Sequence, residues 1–555
     1  MTVTEIRPGA ATGRVSPPVP RHRRRPVLDL CLASISGLVV AVLVGWGIDR
    51  YPTIGGDEGI YTEQAWAILH GRITPYVYTY DHPFFGWLQI SVPSLIAQRL
   101  HIGGSLSVVN DRAVMVLYAV ATVMAVFGIA RRLGFRRPTA LAAVAVMGLS
   151  PLYIVEARQV LLDNIATPWM LLALFLVLSP RQWQWTYAVA GAAFGVSVLS
   201  KETIVLFLPA IAYALWTHCY PPLRSMAVTV FAGMFVLTAS IHLLFALLRH
   251  ELFPGANHVS IWTNEIMYQL LDRTGSGAVW QSGSGRASLL GSWTSYDPWL
   301  LYAGGVAAVL CLAIRPLRVL GIAFVAWSLP ILKPGGYLPS MYVIAGLPFA
   351  GLALAGLADT AYTWLRDQWL RRLGERSARL RRLTDRGFRR ELATLAVVGI
   401  SLPLAIPMAV SYVRHEQVVQ QTDDVAADAG ALSYVEAHVS RRARVLTDDA
   451  FWVDLSRAGF SSDGWDGPIS YYKFNLDPTS SKKNLPQQWK DLNYILSTAE
   501  MRQFLVGASP AESAIEHARI IRTFGSGPNR IELYQVDRTP YNLHGYVPLP
   551  PASRR

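Results

Sequence analysis

Apolar residues dominate about eleven stretches of this chain, and polar residues gather between them. With a window near 19 residues the stretches fall at about 27–48, 112–130, 139–155, 165–179, 186–200, 203–219, 225–248, 299–314, 319–332, 340–357 and 391–412. A helix needs about 20 such residues to cross the hydrocarbon core. Several runs are shorter, so the hairpins from 139 to 219 are read as a group. One further apolar run, Phe84 to Ala97, is only about 14 residues long and contains Pro93, which predicts a helix lying in the membrane interface. From about residue 414 the pattern changes. Helical periodicity at 424–440 and 510–518 alternates with strand-like runs at Arg444–Thr447 and Tyr494–Leu496 and two more ending at Val536, which predicts a small α/β domain.

Composition agrees with a chain that largely avoids water. In 555 residues, charged side chains are 16% and AVILMFWYC 52%, where soluble domains carry about 25% charge. Disorder, a collagen-like repeat and a small disulfide scaffold are excluded. Cys31, Cys219 and Cys311 sit in or beside apolar runs without CxxC or CxxH spacing, as buried structural cysteines do. The first span has no small-residue cleavage site and reads as uncleaved, after a basic tail ending in Arg21-His22-Arg23-Arg24-Arg25.

The net charge of +13 is a topology signal. With the N-terminus cytoplasmic, the basic clusters Arg131–Arg137, Arg181, Arg224, Arg315–Arg318 and 358–390 all fall inside, and those segments carry about +18 against about −5 elsewhere. If 84–97 crossed the membrane, every later cluster would move outside. The chain therefore divides into a disordered basic cytoplasmic tail (1–26), a membrane domain (27–413) and an outer α/β domain (414–555). The membrane domain includes an outer loop at 49–111 and the cytoplasmic Arg-rich segment 358–390. The last domain is nearly neutral, so no nucleic-acid partner is expected. Only six of the 50 basic residues are lysine, which together with the high alanine content points to a bacterial source and its plasma membrane.

Span interiors are almost free of acids and bases, whereas a transporter would carry them at mid-membrane. The acidic residues instead gather on the outer face, which favours chemistry there. In Gly55-Gly56-Asp57-Glu58-Gly59-Ile60-Tyr61 either carboxylate could act as a general base, or Asp57 could cap an interfacial helix with Glu58 in its first turn. The same loop supplies Tyr80-Asp81-His82-Pro83. The second outer loop offers Glu156, Arg158, Asp163 and Asn164. Arg158 has the planar fork that binds two phosphate oxygens, or it closes the hairpin through Glu156 or Asp163. Asp163 could orient an acceptor, pair with Arg158 or ligate a divalent ion. Lys201-Glu202 stands at the next outward turn, and Lys333 with Tyr337 at a later one, where snorkelling is the alternative for the lysine.

In this order these residues resemble the family that includes protein O-mannosyltransferases and the bacterial lipid A aminoarabinose transferase, membrane glycosyltransferases of the GT-C fold. The resemblance rests on Asp57-Glu58 with Tyr61, His82-Pro83, Ala130-Arg131-Arg132-Leu133-Gly134, Ser150-Pro151, Arg158 with Leu161-Leu162-Asp163-Asn164, and Leu199-Ser200-Lys201. It covers about residues 50–220. It implies a polytopic α-helical fold and an inverting transferase that uses a polyprenyl-phosphate sugar at the outer membrane face. Asp57 would stand where the family has its catalytic acid, with Arg158 and Lys201 near the donor phosphate. Asp57 or Asp163 would hold Mg or Mn if a divalent ion is used. The acceptor, a glycan, lipid or protein, stays open. His82 stands where aminoarabinose transferases have lysine before proline, which argues against carrying over their acceptor. The 249–298 loop is too short for the mannosyltransferases' inserted β-trefoil. The rival readings are a lipid-linked sugar flippase or other transporter, and a non-catalytic scaffold presenting the C-terminal domain.

Overall fold

The computed structural model describes residues 26–376 and 406–537, except 77, 79, 256–257, 274, 461–467, 472–473, 475–488 and 505–509. The expected tail up to residue 25, residues 377–390 of the Arg-rich segment and the first part of the 391–412 run lie outside the described residues.

The membrane domain opens with α1 (Pro26–Gly45), the helices α2 (Gly56–Leu69) and α3 (Phe85–Arg99), and α4 (Ser107–Arg132). It continues through α5 (Arg137–Gly148), α6 (Pro151–Arg158), α7 (Leu162–Val177), α8 (Gln184–Ser200), α9 (Leu208–His218) and α10 (Arg224–Leu248). Its second half holds a π-helical stretch at Ile261–Asp272, then α11 (Gly285–Tyr296), α12 (Gly304–Cys311), α13 (Arg318–Leu332) and α14 (Leu347–Arg376). The helix expected at 84–97 is α3, with Pro93 inside it.

Among the described residues, five helical stretches are long and apolar enough to cross a membrane: Pro26–Gly45, Ser107–Arg132, Pro221–Leu248, Arg315–Leu332 and Ser340–Gln368. The straight span expected at 139–155 is instead the pair α5 and α6, bent by 63°. The break falls at Ser150, held extended by the proline that follows, and Pro151 opens α6 where its missing N–H costs nothing. Solvent could not cover what these helices expose. In the most apolar window of Pro221–Leu248 only 17% is buried, and Leu237, Leu244, Leu247 and Leu248 stand open. A helix apolar all round with so little protein against it is solvated by lipid, and the chain is a polytopic membrane protein.

Charge pairing orders the two ends of the bundle. Asp29, at the start of α1, accepts from Arg137 at 2.6 Å and Arg131 at 3.3 Å, and Asp359 on α14 pairs with Arg136 at 2.6 Å. The cluster Arg131–Arg137 thus lies at the N-terminal end of α1, tied there to both α1 and α14.

Past 414 a five-stranded sheet forms from β1 (Val445–Thr447), β2 (Ile469–Ser470), β3 (Tyr494–Ser497), β4 (Ala518–Phe524) and β5 (Ile531–Val536), in the order β2-β1-β3-β5-β4. β2, β1 and β3 are parallel, whereas β5 runs antiparallel to both β3 and β4. Strand alternation splits its residues between two faces. Leu446, Ile495 and Tyr534 pack with Met501, Ala511 and Ala514 in a core of their own. Val445, Leu496 and Leu533 join the core that runs on into the membrane domain. The C-terminal domain is therefore seated on the membrane domain at α2, which decides what reaches the site.

Candidate active site

Two adjacent carboxylates open α2, and the helix separates them. Successive positions on a helix point about 100° apart, so Asp57 and Glu58 cannot face the same way. Glu58 turns inward, 1% exposed. Its carboxylate takes both arms of the Arg112 fork, Nε at 2.8 Å and Nη2 at 2.6 Å, and accepts the Val160 N–H at 3.0 Å and the Gly55 N–H at 3.2 Å. Arg112 also donates to the carbonyls of Pro52, Thr53 and Ile48. Glu58 is thus a structural keystone, which corrects its expected catalytic role. The helix cap is Gly55 rather than Asp57. Asp57 is half-buried, and among the described residues no side chain hydrogen-bonds its carboxylate.

Around it four elements converge. α8 ends at Ser200, and Lys201 turns to an extended conformation (φ −154°, ψ 115°) that sends its side chain inward, 2% exposed. Gly86 on α3 allows this close approach, since a Cβ there would lie 2.6 Å from Leu162 and 3.1 Å from the Ser200 carbonyl oxygen. Lys201 Nζ lies 3.1 Å from His82 Nε2 and 3.9 Å from Asp163 Oδ2, and His82 Nδ1 lies 3.1 Å from Glu202 Oε2. An ammonium can only donate, so Nε2 accepts and the imidazole proton sits on Nδ1, donated to Glu202. Tyr61 closes the cluster, its ring 6.1 Å from His82. Burial holds its phenol well above the ordinary value, with the charges of Asp57, Asp163, Asp81 and Glu202 adding to it.

Other expected site residues go elsewhere. Arg158, fully buried, donates to the carbonyls of Val44 (3.0 Å), Leu43 (2.9 Å) and Trp46 (2.7 Å), with Glu416 at 3.9 Å. It caps the orphan carbonyls ending α1 and does not close the hairpin through Glu156 or Asp163. Asn164 donates to the carbonyls of Glu156 and Gln159 and so braces the same turn, and the Glu156 side chain is buried beside Gln159. Tyr80 donates to Glu251 beyond α10. Asp81 is half-buried and Lys333 exposed.

Tyr337 does reach the site. Arg286 donates to the carbonyls of Gly335 and Gly336, and Ser276 Oγ accepts the Leu338 N–H, pinning the turn that carries Tyr337. The Arg273 guanidinium lies 3.7 Å over the Tyr337 ring. Burial and then Asp57 raise the Tyr337 phenol, against the pull of Arg273 and Lys201. Sequence reasoning does not find Arg273, because an arginine in a polar loop carries no local signal.

Nor does it find Glu500, on the helix Ala499–Phe504 of the C-terminal domain. Glu500 accepts the Gly56 N–H at 2.5 Å, one residue before Asp57. Burial pushes its carboxyl from 4.5 up to about 8, with Asp448, Asp57 and Asp449 adding to the rise and the Gly56 N–H opposing it. The folded chain therefore keeps this proton where the unfolded chain loses it. The resulting stability is complete below about pH 4.5, falls as pH rises, and is gone above about 8. Thermal unfolding of the purified protein at pH 5, 6.5 and 8 tests this: Tm of Glu500→Gln should gain on wild type by a few degrees across that window. Parallel curves for the two proteins would remove Glu500 as the titrating group.

Residues 81–245 match the family model described as dolichyl-phosphate-mannose-protein mannosyltransferase. The chain carries the GT-C fold of membrane glycosyltransferases, as the resemblance implied. Among solved structures it is similar to ArnT from Cupriavidus metallidurans in the apo state, with a TM-score of 0.56 at 15% identity, covering 92% of this chain and 97% of that one. The same protein bound to undecaprenyl phosphate gives 0.53 at 14% identity, covering 92% and 98%. No curated protein matches the chain.

Proposed function

We propose that this chain is an inverting glycosyltransferase that moves a sugar from a polyprenyl-phosphate donor to an acceptor hydroxyl at the extracytoplasmic membrane face. The observation that carries this reading is Asp57, a half-buried carboxylate without a hydrogen-bonding side chain among the described residues, on the same helix as Tyr61, whose ring lies 6.1 Å from His82, the partner of Lys201. A similar fold that binds undecaprenyl phosphate supports the donor class.

The acceptor oxygen attacks the anomeric carbon as the bond from that carbon to the phosphate oxygen breaks, and Asp57 takes the acceptor's proton. Lys201 and Arg273 face the negative charge that grows on the departing phosphate, so their attraction is stronger in the transition state than before it. His82 and Asp163 hold Lys201 in place, and Glu202 fixes the His82 tautomer. Among the described residues no three His, Cys, Asp or Glu side chains are arranged to hold a metal. Asp163 already faces the Lys201 ammonium, so no step is routed through a divalent ion. The reading includes eleven spans, a cytoplasmic N-terminus, a bacterial plasma membrane, and an outer C-terminal domain.

Full-length protein in nanodiscs, given labelled undecaprenyl-phosphate sugars and a crude envelope acceptor fraction, tests the reaction class. A transferase releases undecaprenyl phosphate as label enters the acceptor. Label that only changes leaflet would mean a flippase. Arg273→Ala should weaken binding of undecaprenyl phosphate roughly 10–100-fold without lowering Tm, because a charge-assisted contact is lost and no buried partner is stranded. Unchanged affinity would take Arg273 out of the phosphate site.

A further inference from the structure

The C-terminal domain does more than sit above the membrane helices. Its helix Asp449–Arg457 meets α2 so closely that a Cβ at Gly59 would lie 2.4 Å from the Asp449 carbonyl carbon. Asp448 caps that helix, accepting the Ala450 N–H at 3.1 Å, and also accepts the Thr498 hydroxyl. Thr498 in turn accepts the Met501 N–H at 3.1 Å and so starts the helix that bears Glu500. Arg502 ties that helix to the sheet through the Ser497 and Arg530 carbonyls and through Glu532 at 3.5 Å. The Glu500 carboxyl thus arrives at α2 on a frame braced at several points. It lies flat against Gly56, where a Cβ would stand 2.3 Å from Oε1 and 2.9 Å from Oε2. Only glycine leaves room for it.

We propose that Glu500 is a positioning residue for Asp57: by holding the Gly56 N–H across the domain boundary it sets the first turn of α2, making the C-terminal domain an integral part of the transfer site. This rests on the reading of Asp57 as the base. The physical argument is one of leverage. Asp57 is one residue into a helix whose opening N–H groups have no partner within the helix, and fraying there would swing its carboxylate away from the acceptor. Glu58 braces the same turn from inside through Arg112, and Glu500 braces it from outside. Displacement of a reacting group by about 1 Å costs on the order of 100-fold in rate.

Full-length variants in nanodiscs test the proposal with two readouts, turnover of undecaprenyl-phosphate sugar and affinity for undecaprenyl phosphate. Glu500→Ala should lower kcat roughly 10–100-fold while affinity stays within about 2-fold. Glu500→Gln, whose amide oxygen still accepts the Gly56 N–H, should recover most of the loss. Gly56→Ala leaves the C-terminal domain untouched but pushes the carboxyl away, and should reproduce the Glu500→Ala defect. The double variant should be no worse than either single one, since both remove the same contact. Wild-type turnover in Glu500→Ala, or additive losses in the double variant, would overturn the proposal. If Asp57→Asn is inactive while Glu500→Ala is normal, only the positioning role falls. If Asp57→Asn is itself active, the reading of the base falls with it.

Discussion

Replacing Asp57 by Asn should cut turnover by about 10²–10⁴-fold and leave both the fold and the affinity for undecaprenyl phosphate intact. The amide matches the carboxylate in size, so packing at the start of α2 is unchanged. What disappears is an acceptor for the proton of the attacking hydroxyl. Asp57 is half-buried with no hydrogen-bonding side chain among the described residues, so its replacement strands no partner. Loss of activity would therefore report on chemistry and not on structure. The measurement is single-turnover transfer alongside lipid binding and thermal unfolding. Near-normal transfer would remove Asp57 from the role of base, and a collapsed Tm would show that its side chain is structural after all.

Arg112→Ala should fail differently, with a loss of about 3–5 kcal/mol in stability, because it leaves a buried carboxylate unpaired. Arg112 and Glu58 are 0% and 1% exposed at the side chain and only 2.6 Å apart. The guanidinium also satisfies the carbonyls of Pro52, Thr53 and Ile48 between α1 and α2. Without it those acceptors lose their donor and the Glu58 charge has no counterion. Full-length protein that accumulates poorly, or unfolds well below wild type in detergent, is the expected result. An unchanged Tm would mean the pair contributes little net stability. Two neighbours in sequence, Asp57 and Glu58, are thus separated by experiment into one lesion of rate and one of folding.

Much of the site is legible in the order of residues alone. Lysine after the end of α8, histidine before Pro83 and the Asp57-Glu58 pair are all candidates on that basis, and Lys201 and His82 do pair with one another beside Tyr61 of α2. They stand out because charge is expensive beside a bilayer, so a polar residue at a span boundary contrasts with an apolar background. The arginines resist such reading. Arg158 has every property of a phosphate ligand, yet it caps the end of α1, since a fork that matches a phosphate equally matches a set of backbone carbonyls. Arg112 has no distinguishing neighbours, although it is what removes Glu58 from chemistry. Arg273 and Glu500 lie far from the cluster along the chain, and nothing beside them marks them.

The chain by itself determined that it is a polytopic membrane protein, which end of its helices is basic, and where its polar chemistry gathers. Those properties depend on local composition, because transfer of apolar and charged groups between water and lipid is close to additive along the chain. Tertiary structure decided which candidate does what. It turned Glu58 inward and left Asp57 half-buried, set Arg158 on a helix end, brought Arg273 over Tyr337, and laid Glu500 against Gly56 from 444 residues away. Such outcomes depend on which donors and acceptors end up within about 3 Å of one another, and contacts that short between distant segments exist only once the chain has folded.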